Sequence, residues 1–179
     1  MPRGSIFVWW IGEERADPRV LDPVRAHVER EFERPALLWS GDDRPDGTFD
    51  ERRRQHSSRG MLAWLGRQRP EPASRVIGLT DVDLFIPILT FVFGEAQLDG
   101  VAAVVSTHRL MGEGRAYGSL ARVIKECVHE LGHTFGLVHC GTPGCVMSRS
   151  ASVRAIDLKG ARLCQVCRDR YRIASQGDL

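Results

Sequence analysis

The sequence lacks a long apolar run. No stretch approaches the roughly 20 consecutive apolar residues that a membrane-spanning helix requires. The first residues, Met1 to Gly4, lead directly into an apolar run that is too short for a signal peptide. Internal repeats and low-complexity segments are also missing. We therefore expect a cytoplasmic protein that does not associate with a membrane.

The sequence also lacks an excess of charge of one sign. Its 25 lysines and arginines nearly balance its 23 aspartates and glutamates, which leaves a net charge of +2. Proteins that bind nucleic acid usually carry a concentrated basic surface, so we expect no nucleic-acid partner. The densest basic run, from Arg52 to Arg54, is interpreted as the solvated face of a helix. We also expect a monomer.

Cysteine is scarce and odd in number. Five thiols in a reducing cytosol do not suit a fully bridged disulfide scaffold. Cys127 is interpreted as a buried or half-buried free thiol. The other four stand in two closely spaced pairs, a pattern typical of thiolate metal ligands: Cys140, Cys145, Cys164 and Cys167.

Predicted strands and helices alternate along the chain. A long helix begins near Gly118 and runs into a group of histidines, and Pro87 excludes a continuous central strand at its position. This order predicts an α/β (α+β-like) fold with a mixed, mostly parallel twisted sheet, one antiparallel edge strand and backing helices. A small cysteine-rich C-terminal half, mainly irregular or helical, should follow. Strands are predicted over residues 5–11, 36–39, 76–80, 91–96 and 101–106, and helices over 18–32 and 50–67.

Two histidines lie four residues apart on the long helix, in the segment His129-Glu130-Leu131-Gly132-His133. At this spacing both imidazoles lie on one helix face, about one turn apart, and can reach a single Zn²⁺. Glu130 lies about 100° round the helix from His129, so its carboxylate sits beside the metal where a general base is needed. The spacing predicts a zinc site with an adjacent base.

Gly136 follows His133 by three residues and can adopt a positive φ that ends the helix. The chain then turns, so that His139 returns to the metal as a third ligand. Three neutral nitrogens leave one coordination position for water, whose pKa zinc can lower from 15.7 to about 7. An open position is typical of catalytic zinc.

The pattern HExxHxxGxxH resembles the metzincin zinc peptidases, which share it with a methionine that packs beneath the metal. Met147 is the candidate for that methionine. The short, cysteine-bounded link from His139 to Met147, followed by a CxxC pair, resembles the archaemetzincins more specifically. The resemblance extends to four further segments: residues 53–55, 80–84, 91–96 and 108–110.

This resemblance implies a metzincin-like fold and a zinc-dependent peptidase that acts on peptides or small proteins. Glu130 would be the general base, and the substrate would add a strand along residues 91–96. We expect one catalytic domain with two parts, 1–139 with the active-site helix and 140–179 with Met147. Two zinc ions are implied, a catalytic one at His129, His133 and His139 and a structural one at Cys140, Cys145, Cys164 and Cys167.

Some alternatives stay open. The protein could bind peptides or regulate a partner with an intact metal site and little or no turnover. The C-terminal part could instead be a zinc-ribbon interaction module, whereas a redox role for the CxxC pair lacks a thioredoxin-like context. No tyrosine closely follows Met147, so an electrophilic stabiliser must come from elsewhere, and the candidates are Arg149, Arg109, His108 and Tyr117.

Overall fold

The computed structural model describes residues 4–41, 43–71, 73–111 and 117–178, with the backbone alone at 117, 118, 177 and 178. Strands and helices alternate through the first part of the chain, and helices dominate its end. In chain order they are β1 (Ile6–Trp10), α1 (Pro18–Phe32), β2 (Ala36–Trp39), β3 (Phe49–Asp50), β4 (Gln55–Ser57), α2 (Ser58–Gln68), β5 (Arg75–Thr80), β6 (Leu84–Phe85), β7 (Gly94–Ala96), β8 (Ala102–Ser106), α3 (Tyr117–Thr134), α4 (Val153–Leu158), α5 (Gln165–Ala174) and a 3-10 turn (Ser175–Asp178).

The main sheet has five strands in the order β2-β1-β5-β8-β7. The first four are parallel, and β7 pairs antiparallel with β8 at one edge, which confirms the predicted mixed sheet. Alternate side chains of the buried strands enter two apolar clusters, as period-2 geometry requires. Val8 and Ile77 pack with residues of α1 and α3 on one face, while Phe7 and Val76 pack with residues of α2 on the other.

The helix predicted over residues 18–32 is present with the predicted bounds, as α1. Asp17 caps it by accepting a hydrogen bond from the backbone amide of Arg19, and Pro18 occupies the first turn, where its missing N–H has no cost. The chain leaves the helix through Glu33, which adopts a left-handed φ of 51°. Local capping chemistry therefore fixed both boundaries.

The helix predicted over residues 50–67 is wrong in its first half, because it begins at Ser58. Ser57 is the N-cap residue and accepts a hydrogen bond from the backbone amide of Gly60. The residues before it form two short strands of a separate sheet, in the order β3-β4-β6, which the sequence pattern did not predict.

The basic run does not lie on a helix face. It forms the turn between β3 and β4, where Asp50 accepts hydrogen bonds from the backbone amides of Arg52 and Arg53. Arg54 ends the turn with a left-handed φ of 54°. An aspartate side chain that bonds the following amides competes with helix formation, which explains the error.

The strand predicted over residues 91–96 is shorter than expected. Only Gly94–Ala96 joins the main sheet as β7, whereas Val92 makes an isolated bridge to Leu84. Residues 86–93 run irregularly along the outside of the sheet between β6 and β7. This segment borders the site described below.

Helix α5 packs against α1 and helix α4 against α3, and both contribute to the apolar cluster that α1 and α3 share. Tyr171 of α5 lies edge-on to both Phe32 and Phe135, and its hydroxyl donates to the carbonyl of Phe32. Arg34 donates to the same hydroxyl.

The division into parts at residues 1–139 and 140–179 stays a prediction. Within the described ranges, no helix combines the length and apolarity needed to cross a bilayer.

Substitution of Tyr171 by phenylalanine tests the anchoring of α5. The variant keeps the ring contacts but leaves Phe32 O and the Arg34 guanidinium without their hydroxyl partner. We expect the free energy of unfolding to fall by about 1–3 kcal/mol, measured by urea denaturation. The exposed Ile173→Ala on the same helix should change it by less than about 0.5 kcal/mol. Equal midpoints for Tyr171→Phe and the unmodified protein would contradict this assignment.

Candidate metal centres and active-site cleft

Helix α3 brings His129 and His133 onto one face. Their Nε2 atoms lie 3.2 Å apart, and one ring nitrogen from each of these two and from His139 lies within 4.8 Å of the others. Two zinc–nitrogen bonds of 2.0–2.1 Å at a tetrahedral angle would place the nitrogens about 3.3 Å apart. The donor set and its spacing therefore fit one zinc ion.

Backbone carbonyls orient the two helical histidines. His129 Nδ1 lies 2.9 Å from Val146 O, and His133 Nδ1 lies 2.7 Å from Leu137 O. Each Nδ1 therefore carries the proton and donates it, which leaves the Nε2 lone pair for a metal. Burial, followed by the nearby charge of Lys159, lowers the pKa of His129 to about 3, so the ring is neutral at physiological pH.

The predicted turn at Gly136 is present, with a φ of 77°. Leu137 N donates to Gly132 O, and Asp99 N, from the β7–β8 connection, donates to the carbonyl of His133. These bonds satisfy the carbonyls at the helix end. The chain then reverses and places the exposed His139 ring 5.1 Å from the His133 ring, measured between centroids.

Glu130 is buried beside the histidines, where α3 meets the edge strand. Burial, reinforced by the nearby Glu126 carboxylate, raises its pKa well above the ordinary value. Gly94 of β7 leaves the space that Glu130 occupies, because a Cβ at position 94 would lie 2.8 Å from Glu130 Cγ and 2.7 Å from Val104 O. The edge strand can approach the helix this closely only without a side chain there.

Met147 is fully buried and packs directly on α3. A Cβ added at Gly132 would lie 2.5 Å from the Met147 sulfur, so the methionine fills the space that this glycine leaves one residue before His133. The Met147 carbonyl accepts a hydrogen bond of 3.0 Å from Cys140 N. The methionine segment and the residue after His139 are therefore tied together.

The four predicted cysteine ligands converge. Their sulfurs lie within 4.8 Å of one another, and the Cys140–Cys164 and Cys145–Cys167 distances are both 3.8 Å. A disulfide needs about 2.05 Å, whereas two zinc–sulfur bonds of 2.3 Å at a tetrahedral angle give about 3.8 Å. The sulfur distances fit a shared metal ion, and Cys127 is buried outside this group, as expected.

Hydrogen bonding favours the thiolate form of one cysteine in this group. Burial opposes ionisation of Cys164, but hydrogen bonds from the Cys167 backbone and from Thr142 outweigh it and lower its pKa to about 6. A lowered thiol pKa favours the thiolate, which is the form that binds a metal, whereas burial raises the pKa of Cys145 and Cys167.

A buried ion pair that the sequence pattern did not predict lies beside the histidine group. Lys159 Nζ lies 2.8 Å from Glu126 Oε1, and the two side chains are 3% and 4% exposed. Lys159 also donates to Ser148 O and lies 3.4 Å from His129 Nδ1. The position of Glu126, one turn before Glu130, was a signal in the sequence that could have pointed to this pair. Nothing in the sequence pointed to Lys159 as its partner.

A cleft of about 450 Å³ opens beside the histidines, between residues 86–96 on one side and α3 on the other. Of the candidate electrophilic stabilisers whose side chains the structure describes, only Arg149 lines this cleft. Arg109 and His108 line a different groove, on the far side of residues 86–93. The side chain of Tyr117 lies outside the described part of the chain.

Comparison with known proteins places this geometry in a family. Residues 73–172 match the sequence profile of Peptidase family M54. An archaemetzincin from Methanopyrus kandleri is 44% identical over 149 residues, with 83% of each chain covered. The crystal structure of Archaemetzincin from Methanopyrus kandleri superposes with a TM-score of 0.86 at 33% identity, over 96% of this chain and 95% of that one. The chain belongs to the archaemetzincins.

A crystal structure of a zinc-dependent peptidase from Methanocorpusculum labreanum is also similar, with a TM-score of 0.82 at 28% identity over 93% of this chain and 99% of that one. As a member of the archaemetzincins, the present chain is a zinc-dependent peptidase, and its substrate is therefore a peptide. The predicted family, fold class and enzyme class are confirmed. The peptidase prediction is thus preferred over a binding protein without turnover or a zinc-ribbon module. The histidine and cysteine groups indicate two metal sites.

Replacement of Lys159 tests the buried ion pair. Lys159→Met leaves the Glu126 carboxylate buried without its counter-charge, so we expect a loss of about 3–5 kcal/mol in the free energy of unfolding of the zinc-loaded protein. Chemical denaturation measures this loss. The double variant Glu126→Gln/Lys159→Met removes both charges and should recover most of it. An unchanged midpoint for the single variant would show that the pair is not important for stability.

Proposed function

We propose that His129, His133 and His139 hold the catalytic zinc and that Glu130 is the general base for peptide hydrolysis. The main support is the arrangement on α3, where two Nε2 atoms point to one locus and the Glu130 carboxylate lines the same cleft. A zinc ion bound there supplies a Lewis acid that acidifies water and polarises a peptide carbonyl.

The chain's own groups then perform the proton transfers. The Glu130 carboxylate accepts a proton from the attacking water and returns it to the leaving amine. The protein carbonyls at Val146 and Leu137 hold two imidazoles in the required tautomer. Arg149, at the cleft wall, is the candidate to stabilise negative charge on the carbonyl oxygen.

An extended peptide is the substrate form that suits this cleft. Strand β7 is at the edge of the main sheet and lines the cleft, so its backbone can pair with an added strand. A second hollow, lined partly by Leu98 and Val138, adjoins the cleft at Ala96, His133 and His139. The cleft and this hollow together give an extended peptide room beyond the histidines.

The four-cysteine group is proposed to hold a structural zinc. Four thiolates complete a tetrahedral shell and leave no position for water, so this ion would contribute to folding rather than to hydrolysis. Cys140 follows His139 directly, and the second ion would therefore fix the position of the third ligand of the first. The monomeric state, the cytoplasmic location and the lack of a nucleic-acid partner stay predictions.

Glu130→Gln tests the general base. The amide keeps the size of the side chain but is a far weaker proton acceptor, so kcat should fall by roughly 10²–10⁴-fold while the zinc content stays unchanged. Digestion of an unbiased peptide library, followed by mass spectrometry and zinc analysis, measures both quantities. Glu29→Gln, a remote substitution of the same type on α1, should retain full activity. Comparable turnover by Glu130→Gln at full zinc content would exclude Glu130 as the base.

Cys164→Ser tests the structural zinc. A serine hydroxyl is not ionised at neutral pH and does not replace a thiolate, so the variant should lose one of two zinc ions per chain and unfold at a lower temperature. Cys127→Ala, outside the group, should keep both ions. Retention of both ions with unchanged thermal stability in Cys164→Ser would refute the four-cysteine site.

A further inference from the structure

The four sequence segments that resemble the family away from the metal meet at one place. Three of them, 53–55, 80–84 and 108–110, contact residues 86–93, here called the cleft rim, and the fourth, 91–96, overlaps it. The cleft rim forms one wall of the active-site cleft. The rim is irregular backbone apart from the bridge at Val92, and its tip exposes two apolar side chains, Ile88 at 84% and Leu89 at 46%. Such a segment needs contacts from behind to hold one conformation.

Asp83 is the centre of these contacts. Its carboxylate accepts two hydrogen bonds of 2.7 Å from the Arg109 guanidinium and one of 2.8 Å from Gln55. Burial alone would raise the pKa of Asp83, but the bonds from Arg109 and Gln55 outweigh it and lower the pKa below the ordinary value. Bidentate arginine–carboxylate pairs fix the relative orientation of the two side chains as well as pairing their charges.

Each partner of Asp83 also contacts the rim. Gln55 Nε2 donates to the carbonyl of Thr90 at 3.0 Å, and the Arg109 guanidinium lies 4.0 Å from the centre of the Phe91 ring. The same side chains thus connect Asp83 to two successive residues of the rim. The rim cannot move without breaking charge-assisted or stacking contacts.

Arg53 holds the tip of the rim by a separate route. Its guanidinium donates to the carbonyls of Leu89 and Pro87, at 2.9 and 3.1 Å, and lies over the Phe85 ring. Proline lacks an N–H and interrupts sheet pairing, so carbonyls near it depend on side chains for partners. The neighbouring Arg54 makes no such contact with the rim, all of whose residues the structure describes.

We propose that Arg53, Gln55, Asp83 and Arg109 are positioning residues that hold the cleft rim in place for contact with the peptide substrate. The inference rests on the proposed peptide binding in this cleft. None of the four lines the cleft itself, since all four border the groove behind the rim. They act through the rim, on substrate residues away from the cleaved bond.

This placement predicts a particular kinetic signature. We expect the rim to bind the ground state and the transition state alike, and loss of such uniform binding raises KM and leaves kcat unchanged. A loosened rim in Arg53→Gln or Arg109→Gln should therefore raise KM roughly tenfold with kcat within about twofold. Arg54→Gln, in the same basic run, should behave like the unmodified protein.

The experiment combines three measurements on full-length, zinc-loaded protein. Steady-state kinetics use a peptide cleaved by the unmodified protein, and zinc analysis confirms equal metal content. Hydrogen exchange should be faster in residues 86–93 of the variants and unchanged in α3. Arg109→Lys keeps the positive charge without the bidentate contact to Asp83 and should recover little of the affinity for the peptide.

The outcomes separate this inference from the proposed function. Faster exchange in the rim with unchanged KM would show that the rim does not contact substrate, and unchanged exchange would show that these residues do not hold it. Either result overturns the inference while peptide cleavage persists. A drop in kcat with loss of zinc would show a structural role and also overturn it. If the unmodified protein cleaves no peptide, the proposed function fails first, and peptide affinity of the zinc-loaded variants decides the inference.

Discussion

The packing of Met147 on Gly132 sets how closely the C-terminal segment approaches the active-site helix. A methyl group at position 132 would collide with the methionine sulfur, so the helix residue there must have no side chain. That close approach brings the Val146 carbonyl to His129 Nδ1 and lets Met147 O bond Cys140 N. The tautomer of one histidine and the position of the residue after another therefore depend on one contact.

The two metal groups are consequently mechanically coupled. His129 and His133 are held by helix α3, but His139 is exposed and follows a turn that passes through a glycine. Its position depends on what fixes the chain on its far side, where Cys140 enters the four-sulfur group. Closure of that group by a metal would restrict the turn from both ends, which is how a remote ion can order a catalytic ligand.

Features encoded by neighbouring residues could be predicted from the sequence. The caps of α1, the helix periodicity before His129 and the positive φ at Gly136 all follow from side chains within a few residues. Features that depend on distant partners could not. Lys159 reaches Glu126 across 33 positions of sequence, and Arg53 reaches the cleft rim only because Asp50 turns the chain ahead of α2. Periodicity carries no information on such pairs.

The buried charges beside the histidines show why the distant partner matters. Glu126 and Glu130 lie one turn apart on α3, and the Glu126 carboxylate makes ionisation of the buried Glu130 less favourable. Lys159 lies against Glu126 and offsets this repulsion, since its charge lowers the pKa of both carboxylates against the effect of burial. Without the lysine, the proton affinity of the two carboxylates would rise further, and Glu130 would be less available for the proposed role of unprotonated base. The ion pair therefore links the stability of the site to its chemistry, through a charge that lies outside the ligand set.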